Sequence, residues 1–285
     1  MRVKIHGENY KEKTFSEIKF LETKFLNLLN TMNNLEVKNY NVVTTELSKQ
    51  STEKSDNNSG SSQGGSGGGS GGSSGGQSSS SESGQEGASG DKQDNKKFEL
   101  RTNGVLTNSE NINWDNAKAE VENLYTSIPS ITMDLYQTNV NPEDVLGFNT
   151  EYDNLTIVVK DEKKEETLSQ LSKLYEYLPK FLRSSKQENI YTTLVETKNN
   201  VIKAYSKLDT GNWNDISNDI TNAINNYSKL LTDTNIPKDK QYSINKGYIM
   251  LNELQNAVNM QDITVFLIKY KNLLEEINNI WYNKK

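Results

Sequence analysis

Residues 190–231 read IYTTLVETKNNVIKAYSKLDTGNWNDISNDITNAINNYSKLL. Ile190, Leu194, Thr197, Val201, Tyr205 and Leu208 recur three or four apart, the spacing of one buried helix face. Gly211 offers the left-handed residue that ends such a helix. A second stripe follows at once in Ile216, Ile220, Ile224, Tyr227 and Leu231, and it stops before Ile236-Pro237. A connection this short places the two helices side by side and antiparallel. Ile244, Tyr248, Leu251, Leu254 and Val258 form a third stripe. Asp262 is a fitting N-cap for a fourth, which carries Ile263, Phe266, Tyr270, Leu273, Ile277 and Ile280.

Working upstream, Asn141-Pro142-Glu143-Asp144 combines an N-cap, a proline at the first helical position and acids in the first turn. Leu168, Leu171, Leu174, Tyr175, Leu178 and Leu182 give another stripe, with Pro179 set to kink or end it. Pro129 raises the same expectation for a helix that starts near Trp114. Asn113-Trp114-Asp115-Asn116-Ala117 is echoed 99 residues later by Asn212-Trp213-Asn214-Asp215-Ile216. Shared helix-start chemistry in an Asn-rich chain is the favoured reading of that echo, and a duplicated helical-hairpin unit is the other. The turn at 204–213 faintly resembles those of tetratricopeptide-type repeats, but no 34-residue period follows it.

The start of the chain is read differently. Arg2 to Glu8 and Tyr40 to Leu47 alternate polar and apolar residues as half-buried strands do. Between them Ile18, Leu21, Phe25, Leu28, Met32 and Leu35 mark a helix from about Phe15 to Asn34. Residues 51–97 are dominated by Ser and Gly, and 13 of the 18 glycines of the chain fall between Gly60 and Gly90. Such a tract cannot bury enough apolar surface to offset its ordering entropy, so a disordered linker is expected. Lys97-Phe98-Glu99-Leu100-Arg101 alternates again, which leaves the tract either inside one sheet or between two domains. The expected organisation is a mainly α protein. A small α+β element spans 1–50, with 97–106 as the candidate segment to complete it, the linker spans 51–97, and an antiparallel helical bundle spans 107–285.

Composition narrows the chemistry. The chain has 285 residues, a net charge of -6, one histidine and no cysteine, with a mean hydropathy of -0.80. Disulfides, thiolate metal sites and Cys nucleophiles are excluded, and His6 has no His partner for a zinc or haem site. Arginine occurs only at positions 2, 101 and 183, so no basic stripe forms and nucleic acid is not an expected partner. The Gly-rich run at 64–76 lacks the strand, helix and Lys-Ser/Thr of a phosphate cradle. Asp161-Glu162, Glu165-Glu166 and Glu275-Glu276 read as solvated helix faces. Most aromatic residues lie on core stripes, which leaves Tyr10, Tyr152, Tyr191 and Tyr282 as off-stripe candidates for a recognition surface. No catalytic, cofactor-binding or metal site is expected, and no cofactor.

Phe15-Ser-Glu-Ile-Lys-Phe-Leu-Glu22, the Ser/Gly tract, Tyr242-x-Ile244-Asn-Lys-x-Tyr248-Ile-Met-Leu-Asn-Glu-Leu254 and Phe266-Leu-Ile-Lys-Tyr-Lys-Asn-Leu273 together resemble uncharacterised lipoproteins of low-GC Gram-positive bacteria. Those proteins pair a lipid-anchored Cys with a Ser/Gly linker and a helical C-terminal region. The resemblance implies a non-enzymatic envelope or cell-surface protein that binds another protein or a cell-wall component. This sequence shows neither leader nor Cys, so membrane attachment is expected only through a lipid anchor upstream of Met1. The alternative is a cytoplasmic helical adaptor or oligomerisation module. An enzyme working with carboxylates and tyrosines would need convergent acids from distant helices in a deep cleft.

Overall fold

A computed structural model describes residues 2–37, 104–107, 111–184 and 190–282, and side chains within 12–37, 104–107, 111–184 and 190–280. Helix α1 (Arg2–Thr31) ends one turn before Asn34, the expected end. Asn34 turns left-handed at φ 50°, and the Leu35 amide reaches back to the Asn30 carbonyl at 2.9 Å. This six-to-one bond closes the helix in the usual Gly or Asn fashion.

The N-terminal end corrects the reading of an α+β element, because Arg2 to Glu8 belongs to α1 and is not a strand. A helix satisfies its backbone groups internally, whereas a strand needs a partner. Among the described residues there is no strand to supply one. The expected strands at Tyr40–Leu47 and Lys97–Arg101 lie outside the described residues, as does the 51–97 tract.

The remaining helices are α2 (Trp114–Leu124), α3 (Ile128–Tyr136), α4 (Pro142–Lys160), α5 (Lys164–Tyr175), α6 (Tyr177–Ser184), α7 (Ile190–Ser206), α8 (Trp213–Leu231), α9 (Gln241–Met260) and α10 (Ile263–Tyr282). A single-turn 3-10 segment at Val105–Thr107 rests on α10. Among these helices the fold is a mainly α bundle. Helix α8 lies between α7 and α9, and α9 lies between α8 and α10. Helix α1 packs against α2, α3, α5 and α6. Its Ile18, Leu21, Phe25 and Leu29 join one apolar core with residues of every later helix. Described residues on both sides of the 38–103 stretch, Val37 and Val105 among them, therefore pack against one core.

The echo at the two tryptophans extends through both halves. Helix starts at Trp114 and Trp213, at Pro142 and Gln241, and at Lys164 and Ile263 all stand 99 residues apart. Asn113 and Asn212 cap in the same way, accepting the amides of Asn116 and Asp215. Glu162 and Gln261 both turn left-handed, at φ 56° and 55°. Buried positions keep the register, as in Val145 and Ile244, Leu155 and Leu254, Val159 and Val258, Leu171 and Tyr270, and Phe181 and Ile280. A repeated unit explains this better than coincident caps. The halves differ where the prolines fall. Pro129 and Pro179 clash with the carbonyls of Tyr125 and Tyr175, so α2–α3 and α5–α6 are broken. Their counterparts α8 and α10, with Ser228 and Asn278 at those positions, run unbroken.

Helix α9 closes on α8 at Gly247. Tyr227 of α8 lays its ring across that glycine and donates its hydroxyl to the Ile244 carbonyl at 3.0 Å. An added Cβ would meet the hydroxyl and stand 2.9 Å from ring carbon Cζ. Gly247→Ala should therefore lower stability by about 1–3 kcal/mol through overpacking, despite the ~1 kcal/mol that helix propensity favours alanine. Urea unfolding checks this, and adding Tyr227→Phe should return part of the loss.

Candidate functional site

Helix α1 is buried almost all round from Thr14 to Met32, so its polar residues must find partners inside the protein. Glu22, 2 % exposed, sits among the stripe residues Ile18, Leu21 and Phe25. Tyr175 of α5 donates to its Oε1 at 2.6 Å. Tyr191 of α7 donates to Oε2, and the buried Lys198 ammonium of α7 pairs with Oε1. One carboxylate thus collects two hydroxyls and a cation from two helices. Tyr152 and Tyr191, read as surface candidates, are both buried. Tyr152 donates to the Val121 carbonyl at 2.6 Å. Both have a hydroxyl partner in the core that stripe arithmetic does not reveal.

A turn earlier on α1, buried Glu17 lies against buried Asp134 of α3, and Lys13 pairs with Asp134 at 2.5 Å. Burial, and then the neighbouring Asp134, push the Glu17 carboxyl up from 4.5 to about 8, while Lys13 opposes the rise. The raised value favours the protonated form of Glu17 beside Asp134 at neutral pH. These are convergent acids from distant helices, but they sit in packed interior and line none of the clefts below.

Among the described residues, two clefts with polar linings open on the surface, beside a smaller apolar one of about 330 Å³ between Val105–Thr107 and α10. The first, of about 500 Å³, lies between the C-terminal turns of α1 and the start of α2. Asn27, Asn30, Thr31, Asn116 and Glu120 line it together with Leu28, Leu35, Glu36 and Val37. Lys24 holds Glu120 at 2.9 Å. Asn30 is 3 % exposed, and its side-chain oxygen has no hydrogen-bond partner. The second, a groove of about 640 Å³ along α5, α7 and α8, mixes Glu165, Glu166 and Glu176 with Lys173, Lys203 and Lys207. Lys207 pairs there with Asp219 at 2.6 Å. Asp219 occupies the place in α8 that Glu120 holds in α2, 99 residues earlier.

Among the expected solvated acids, Asp161, Glu162, Glu165 and Glu166 are exposed. Glu275 and Glu276 are not: both are buried, and Glu276 is held by Lys246 of α9. Adjacent helical residues face different ways, but α10 is enclosed widely enough to take in both. The side chains of His6, Tyr10 and Tyr282 lie outside those described. Among the described residues, no group of three or more acids or histidines is placed to hold a metal ion, and no helix is long and apolar enough to cross a membrane. Comparison with family models, curated proteins and solved structures finds no match to this chain.

Lys198→Met strands the Glu22 charge in the core and should cost about 3–5 kcal/mol. Combining it with Glu22→Gln should recover most of that loss in urea unfolding. Glu17 gives a pH signature. Its folded value lies above its ordinary one, so its stabilising contribution is complete below pH 4.5 and is lost as pH rises through about 8. The stability of Glu17→Gln relative to the parent should therefore rise between pH 5 and 8, by up to about 1.4 kcal/mol per unit.

Proposed function

We propose that this chain is a non-enzymatic binding module of the cell envelope or surface, which uses its helical bundle to engage a protein or a cell-wall component. The observation that carries the reading is the α1–α2 cleft. Its lining of amides, a hydroxyl and aliphatic side chains suits recognition by hydrogen bonding. Helix α1 precedes the Ser/Gly tract yet belongs to the core, so the binding module includes both sides of the tract. Attachment to a membrane would come from a lipid anchor upstream of Met1.

A second reading, a cytoplasmic adaptor or oligomerisation module, draws on α9. Tyr242, Ile249 and Met260 are exposed there at 67 %, 62 % and 64 % and recur at helical spacing along one side. Large apolar side chains so arranged favour self-association.

Fractionation of the native cells separates the two readings. The envelope reading expects the protein with the membrane or wall, and a lipidated N-terminus by mass spectrometry. Recovery from cytosol with an unmodified N-terminus, as a concentration-dependent oligomer that Ile249→Lys disperses, would establish the second.

A further inference from the structure

We propose that a second copy of this chain docks on the outer face of α4, with the two α4 helices antiparallel across a two-fold axis. Glu143, Leu146, Thr150, Asp153, Ile157 and Lys160 are all exposed and recur at alternating spacings of three and four, the heptad pattern of a helix-pairing seam. Leu146 is 64 % exposed and Ile157 53 %, so the apolar positions of that seam meet water in the single chain. Neighbouring helices widen the face. Tyr125, at the end of α2, donates to Asp153 at 2.9 Å and so lies along α4. Thr132 donates to Asn149 at 3.2 Å, which places α3, with its exposed Met133 and Tyr136, beside the N-terminal half of α4.

The order of the residues identifies the occupant. When a second α4 is turned end for end about the midpoint between residues 151 and 152, Leu146 falls opposite Ile157, Glu143 opposite Lys160 and Thr150 opposite Asp153. Each match occurs twice in a two-fold pair, as an isologous interface requires. The apolar side chains cover one another, and opposite charges meet at both ends. Lys160 has Asp161 at 3.6 Å, but its side chain is 71 % exposed and keeps its reach. The same arrangement sets the N-terminus of one α4 beside the C-terminus of the other, so the helix dipoles attract. An anionic lipid surface would instead repel Glu143 and Asp153. The counterpart positions of α9, 99 residues on, hold Tyr242, Asn245, Asn256 and Asn259, so the second unit repeats neither the apolar match nor the charge match. A helix pair with its flanks lies at the small end of specific interfaces, and a micromolar Kd is expected.

The test uses the full chain, which contains no cysteine, so a single introduced thiol reports its own position. Sedimentation equilibrium from micromolar to near-millimolar concentration should show a monomer–dimer equilibrium. Ile157→Lys should raise its Kd at least tenfold, while the monomer unfolds in urea like the parent because residue 157 is exposed. Leu146→Cys and Ile157→Cys, oxidised separately, should cross-link slowly, since each position lies about 16 Å along the pair from its own copy. Mixed, the two variants should give a disulfide-linked heterodimer at least tenfold faster. A chain that stays monomeric throughout, a dimer that Ile157→Lys does not weaken, or thiol variants that cross-link as fast alone as mixed, overturns the proposal. A dimer that Ile249→Lys disperses and Ile157→Lys does not also overturns it, in favour of the α9 face, and leaves the adaptor reading standing. The α4 interface depends on neither reading of where the chain works.

Discussion

A single carboxylate inside α1 sets the terms on which the bundle assembles. Glu22 is buried, and a buried charge is tolerated only when paired and hydrogen-bonded. Tyr175, Tyr191 and Lys198 provide the pair and the bonds. They come from α5 in the first repeated unit and α7 in the second, so satisfying Glu22 requires α1 to be seated between the two. Tyr205 of α7 reinforces the seat. It donates to the Leu29 carbonyl at 2.9 Å and stacks on Tyr270 with ring centres 4.4 Å apart. Hydrophobic burial supplies most of the cohesion of such a bundle, but it is non-directional. The polar quartet gives α1 one orientation and one axial position.

The repeat explains much of the remaining architecture. Both units place an Asn cap and a tryptophan at the start of the second helix and a left-handed residue after the third. Two prolines break the first unit where the second runs straight, which is why α2–α3 and α5–α6 are pairs while α8 and α10 are single helices. The units differ most between their first and second helices. That connection occupies residues 207–212 in the second unit and 32–113 in the first. The amide-lined cleft lies at this point of divergence, with Val37 on its wall. The corresponding region of the second unit contributes Lys207, Thr210 and Asp219 to a charged groove instead. One plan thus carries two surfaces of different chemistry.

How much of this was legible in the sequence depends on the scale of the feature. The stripes of α7–α10 were readable because burial repeats with the helix period, and Gly211 and Asp262 mark ends by local geometry. The ends of stripes were less so: Leu231, which ends α8, and Ile263, which opens α10, are exposed at 39 % and 40 %, because the terminal turns of a helix often extend beyond its neighbours. The Arg2–Glu8 alternation misled, since seven residues are too few to fix a period and the described residues contain no strand for them to pair with. The buried sites were hidden for a different reason. Glu17, Glu22, Asp134 and Lys198 look like ordinary surface charges, and only the fact that Glu17 and Glu22 fall among the apolar positions of α1 hints otherwise.

The sequence by itself determined the helical class, the caps and the 99-residue echo, all of which depend on neighbours within a turn or on periodicity along one element. Tertiary structure decided which helix is central, which charges are buried and where a cleft opens. Those outcomes depend on residues brought together from positions 22, 175, 191 and 198, or 30 and 116. Their mutual distance is a property of packing, and no local pattern encodes it.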